Sequence, residues 1–188
     1  MTDLSLDDTA LAARRDSATV ASSGESLARV ISGVSTHSPV NHVDHRGRVF
    51  EVYSGPSEHW VEPLVYAYVF TVRVGHTKGW AIHEHKSDRY TLVTGEILTV
   101  LFDARLRSPT HGLVQRITLS AEGVRQLVIP RGVWHMNINI GQSEAFLISH
   151  PTTTYSHDAP DRLMLPWDTA EIPVDVSEYF PTATKTPR

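Results

Sequence analysis

The sequence predicts an all-β protein, a sandwich or barrel of short strands. Three observations carry this. At least eight short runs rich in Val, Ile, Leu, Tyr, Phe and Thr lie between residues 49 and 149. Turns containing Gly, Pro, Ser or Thr separate most of them. No stretch in the middle of the chain repeats its apolar residues at helical spacing.

Val49–Tyr53 is the first run, and Ser54-Gly55-Pro56 ends it. Leu64–Val74 is dense in Val, Tyr and Phe and stops at Gly75. Trp80–His85 is short and extended. Arg89–Val93, the turn Thr94-Gly95-Glu96 and Ile97–Phe102 read together as a hairpin. After the loop Ser108–Gly112 come Val114–Leu119, Arg125–Ile129, Trp134–Ile140 and Ala145–Ser149, with Gly123, Gly132 and Gly141 between them. Residues 1–26 are rich in Ala, Ser, Thr and Asp and are expected as a mobile tail, with a short helix through Leu4, Leu6 and Leu11 as an option. Residues 27–175 are expected as one domain and 176–188 as a second tail.

Composition narrows the class. The 188 residues suit one domain with terminal extensions, and 40% hydrophobic residues suffice for a core. A net charge of -4 argues against a nucleic-acid partner, because phosphate binding needs a basic surface. With no cysteine, disulfides and thiolate metal sites are excluded. The opening MTDLSLDD lacks a charged-then-apolar leader pattern, and Leu64–Val72 is too short to span a bilayer. These features set the expectation of a cytoplasmic protein with no membrane contact.

The chemistry concentrates in two places. His83 and His85 stand two apart, so on a strand both side chains would share one face. His135 follows the turn Pro130-Arg131-Gly132. Three imidazoles facing one cavity suit either a metal ion or proton transfer.

Pro130–Asn139 fits the pattern P-x-G-x-x-H-x-x-x-N and resembles the second motif of cupin barrels. Gly79, His83, His85, Asp88 and Gly95 resemble the first motif, with the acid one or two places early. Asp44-His45-Arg46-Gly47, running on to Glu51, resembles the D-x-R-G-x-x-x-E segment of dTDP-4-dehydrorhamnose 3,5-epimerases. So do Gly95-Glu96, Phe102–Arg105, Ser108–Gly112 and Leu119–His135. The resemblance runs from about Val30 to Pro173. It implies a cupin double-stranded β-helix (jelly roll), a homodimer and a nucleotide-sugar pocket inside the barrel.

The resemblance also implies roles. His83 matches the base that removes the proton beside a sugar ketone, chemistry that suits an imidazole near neutral pH. Asp168 is the candidate to orient it. Arg46 and Glu51 match positions that hold the nucleotide, His135 lines the sugar pocket and Tyr155 stacks on the substrate. The chain departs from the family elsewhere. Trp80 and Ala81 replace an arginine and a glycine. Asp88 falls where the enolate-stabilising lysine is expected, with Lys86 close but off the register. Ile148 and Ser149 stand where a tyrosine acid is expected.

Three readings follow. The first is an isomerase like the nucleotide-sugar epimerases, needing no cofactor and acting on a dTDP-4-keto-6-deoxyhexose or a related carbonyl compound. The second is a metal-dependent cupin enzyme, an oxygenase or isomerase. His83, His85, His135 and Asp88 would hold Fe, Mn, Ni or Zn, and the ion would polarise a carbonyl in place of the missing lysine. The third is a non-catalytic cupin that binds a sugar nucleotide. Plainer roles compete. His85 suits a barrel-interior histidine bonded to a neighbour, Asp88 a turn residue, Arg46 a partner of Asp44 or Glu51, and Trp80 and Trp134 a core or pocket wall. The remaining histidines, His150 among them, are expected in loops or on the surface.

Overall fold

The computed structural model describes residue 13 and residues 16–180. The expected helix through Leu4–Leu11 and the final eight residues of the C-terminal tail lie outside the described residues.

The described residues form twelve strands and one short helical turn. These are β1 (Ser35–His37), β2 (His42–Asp44), β3 (Gly47–Val49), β4 (Tyr68–Val72), β5 (Thr77–Ile82) and β6 (Asp88–Thr94), then β7 (Ile97–Asp103), β8 (Val114–Leu119), β9 (Gln126–Ile129), β10 (Val133–Asn139), β11 (Ala145–Ser149) and β12 (Leu163–Met164). Two five-stranded antiparallel sheets, ordered β1-β9-β6-β11-β4 and β12-β5-β10-β7-β8, face each other as a jelly roll. No helix among the described residues is long and apolar enough to cross a membrane.

Alternation along the strands creates two cores. On β6, Tyr90 and Leu92 point between the sheets and meet Leu101, Ile117 and Val133 from the opposite sheet. On β10 the alternate residues Met136 and Ile138 point outwards and pack with Trp80, Val100, Ile172 and Val176. The segment 172–180 therefore covers the outer face of the second sheet. Val176 is buried and Tyr179 and Phe180 pack beside it, so the packed region runs past the expected boundary at 175. The outer face of the first sheet is covered by the chain around Trp60. There the fully buried Arg89 donates to the carbonyls of Glu62, Pro63 and His150.

The hairpin of β6 and β7, and strands β8 and β11, match expectation closely. The first expected strand, Val49–Tyr53, is displaced. Its β-forming residues follow β3 as an irregular strap, because the β2–β3 pair makes a separate two-stranded arm. That arm leaves Val43 and Val49 about 70% exposed. The expected strand Trp80–His85 ends at Ile82, so the shared-face argument does not apply to His83 and His85.

Candidate active site

The two sheets and the loop 151–162 enclose a cavity of about 820 Å³, within the size range of small-molecule sites. Tyr68 and Phe70 line it from β4, Asp88 and Tyr90 from β6, Ala81 from β5, and His135 and Asn137 from β10. The loop supplies Tyr155, His157, Asp161 and Arg162 at its rim.

His83, Asp88 and His135 form the floor, with 6%, 3% and 4% exposure. His83 Nε2 is 3.2 Å and His135 Nε2 3.5 Å from the same oxygen, Asp88 Oδ2. Tyr90 donates its hydroxyl to that oxygen at 2.8 Å. Lys86 Nζ lies 3.1 Å from Asp88 Oδ1. The two imidazole centroids are 5.4 Å apart.

The local chain explains these positions. Asp88 and Tyr90 share one face of β6, and Lys86 continues that spacing just before the strand. His135 pairs with Ala81 on β5 and Leu101 on β7, which fixes its height in the sheet. Gly79 permits the close crossing of β5 and β10. A Cβ there would lie 2.5 Å from the His135 carbonyl oxygen. The two motif halves touch directly, because the Gly132 amide donates to the His83 carbonyl at 2.8 Å. Gly132 has φ of +78°, a turn conformation that glycine adopts without strain.

His83 is oriented by Asp161. Strand β12 pairs with the end of β5, Leu163 opposite Ile82, and this brings Asp161 beside His83. The Asp161 carbonyl holds Nδ1 of His83. Its carboxylate accepts the amides of Glu84, His85 and Lys86 at 2.9, 3.0 and 3.0 Å. Burial raises the Asp161 carboxyl pKa, but these three donors outweigh it and hold the pKa below its usual value.

The same hook curls residues 84 and 85 away from strand geometry. His85 is exposed at the cavity mouth and stands with Glu84 and Asp161, apart from the floor group. The three-histidine set is thus not assembled; a two-histidine, one-carboxylate set is. Asp88 is a buried strand residue rather than a turn residue. Burial pushes its carboxyl pKa up, yet His83, His135 and Lys86 hold it well below the carboxylate range. Burial pushes His135 down to about 4.

Asp168 is exposed and does not line the cavity. The contact with His83 expected of Asp168 is made by Asp161, seven residues earlier. Arg46 is 78% exposed on the β2–β3 arm, bonded to Asp44, and neither it nor Glu51 lines the cavity. Tyr155 does, and its ring packs edge-on against His157. His150, expected in a loop or on the surface, follows β11 in a loop but is only 2% exposed, beneath Trp60. Tyr90 was missed, although its spacing from Asp88 was the available signal. Asp161 carried no local signal at all.

The sequence model of dTDP-4-dehydrorhamnose 3,5-epimerases matches residues 28–185. The spore coat polysaccharide biosynthesis protein SpsL of Bacillus subtilis is 30% identical over 139 residues, covering 74% of this chain and 91% of SpsL. The dTDP-4-dehydrorhamnose 3,5-epimerase of Salmonella typhimurium is 30% identical over 142 residues, covering 70% of this chain and 74% of that enzyme. Among solved structures, a dTDP sugar isomerase from Desulfovibrio desulfuricans superposes with a TM-score of 0.71 at 23% identity, over 77% of this chain and 91% of that one. That likeness establishes the cupin fold.

Proposed function

Because the chain belongs to the dTDP-4-dehydrorhamnose 3,5-epimerase family, we propose that it is an isomerase of a nucleotide-linked keto sugar. The substrate class is a dTDP-4-keto-6-deoxyhexose or a close relative. His83 Nε2 takes the proton from the carbon beside the ketone. The C–H electron pair becomes the C=C bond while the carbonyl π pair moves onto oxygen as an enolate, and a solvent-derived proton delivered to the opposite face inverts the centre.

One observation carries the reading: His83 Nδ1 faces the Asp161 carbonyl. A carbonyl can only accept, so Nδ1 carries a proton, and Nε2, which faces Asp88 Oδ2 on the cavity floor, is the nitrogen that acts as base when the ring is neutral. The enolate needs positive charge nearby. Lys86, 11% exposed and beside Asp88, supports that role from outside the expected register. No cofactor takes part in this reaction. A homodimer is the proposed form, supported by the exposed valines of the β2–β3 arm. Arg46 and Glu51 would then grip the nucleotide from an arm presented to a second copy.

The test is incorporation of solvent deuterium beside the ketone of dTDP-4-keto-6-deoxyglucose. Wild-type protein is expected to exchange, and His83→Gln to slow by about 10²–10⁴-fold. Thermal stabilisation by dTDP with no exchange would instead indicate a sugar-nucleotide-binding protein without turnover.

A further inference from the structure

Both histidines on the cavity floor turn Nδ1 to a backbone carbonyl, His83 to Asp161 and His135 to Val133 at 3.2 Å. Each Nδ1 therefore carries the proton, and a neutral ring leaves Nε2 with a bare lone pair. Yet both Nε2 atoms face Asp88 Oδ2, at 3.2 and 3.5 Å. With both rings neutral, three lone pairs converge at Asp88; a protonated ring instead donates its Nε2–H to the carboxylate. A proton on one ring relieves one of these contacts; a cation seated among them relieves all.

We infer that His83 Nε2, Asp88 Oδ2 and His135 Nε2 form a binding site for one divalent transition-metal ion of the zinc type. Two donors each about 2.1 Å from an ion, at a tetrahedral angle, lie about 3.4 Å apart. The two Nε2–Oδ2 separations bracket that value, and the three residues offer donor atoms within 4.8 Å of one another. The surroundings match those of ligating groups. Each imidazole directs its other nitrogen to a carbonyl, and Tyr90 and Lys86 hydrogen-bond the carboxylate. Lys86 is the opposing element, because its ammonium repels an incoming cation. The inference rests on the proposed function in one respect: an ion on His83 Nε2 occupies the lone pair that removes the proton. The ion and the proton transfer exclude each other.

Protein without a histidine tag, stripped by chelator, is titrated with Zn²⁺ by calorimetry and with Co²⁺ by visible absorption. One ion per chain is expected, with the Co²⁺ bands of a nitrogen- and oxygen-ligated site. Binding should tighten several-fold in Lys86→Met and weaken about tenfold or more in Asp88→Asn and His135→Gln. The wild-type Co²⁺ spectrum needs no variant to fold. No uptake at about 100 μM ion, a free energy weaker than about 5.5 kcal/mol, overturns the site. So does uptake undiminished in Asp88→Asn, which points to Glu84, His85 and Asp161. Zinc is expected to slow deuterium exchange, and acceleration overturns the exclusion. Binding is measured without substrate. Metal-free protein that exchanges but takes up no ion therefore defeats only the site, and uptake without exchange defeats only the epimerase reading.

Discussion

Asp161 holds His83 in two ways at once: its carbonyl meets the imidazole Nδ1, and its carboxylate gathers the three amides that follow His83. The backbone half of this contact fixes which ring nitrogen carries the proton. The side-chain half fixes the path of the chain that carries the ring. A single loop residue thereby sets both the tautomer and the aim of the proposed base.

Replacing Asp161 should affect stability and catalysis together. Asp161→Ala leaves three amides without their acceptor and should cost about 2–3 kcal/mol, since hydrogen bonds to a charged group contribute about 1.5–3 kcal/mol each and water replaces part of them here. Exchange beside the substrate ketone should fall by about tenfold or more, as a misplaced base loses its alignment. Asp161→Asn keeps one acceptor oxygen and should fall between. Denaturant midpoints and exchange rates check this; an Asp161→Ala protein with wild-type values for both would remove Asp161 from the account.

Lys86 should matter to turnover more than to binding. Its ammonium stands beside the His83–Asp88 pair, where enolate charge would develop. Lys86→Met should lower kcat by about 10²–10³-fold with a smaller change in KM. Lys86→Arg should recover part of the loss. An unchanged kcat in Lys86→Met would assign the enolate to another group.

Stability should decline in mild acid because of the histidines under the Trp60 strap. Burial, with help from His37 and Arg89, lowers His59 to about 4, and burial beside Arg89 also lowers His150. Between about pH 6.5 and 4 the unfolded chain binds protons on these rings that the folded chain refuses, so stability rises with pH through that window. The change should be on the order of 1–2 kcal/mol for the pair, discounted for the partial exposure of His59. Urea midpoints measured from pH 7 to 4.5 test the slope, which should flatten in His59→Asn with His150→Asn. Equal slopes in variant and wild type would place the acid sensitivity elsewhere.

Much of the fold is local in origin. Alternating β-formers and glycine turns mark the strands from β6 to β11, because side chains on a strand alternate between two environments and the sequence shows that alternation directly. His83 and His135 were legible for a related reason: each stands at a fixed distance from a turn, and the Gly132 amide joins the two motifs in space. Residues placed by long-range contacts were not legible. Asp161 reaches His83 only because β12 pairs with the end of β5. His85 leaves the site only because Asp161 hooks the amides beside it. Asp88 reads as a turn acid in isolation, since an unpaired carboxylate is too costly to bury. Folding supplies the partners, and Lys86, Tyr90 and the imidazoles of His83 and His135 make the buried charge tenable. The sequence by itself determined the strands from β6 to β11 and the family, and it named all three floor residues, Asp88 only as a possible metal ligand. Tertiary structure alone decided which acid orients the base, which histidine stays outside, and that a carboxylate sits between the other two.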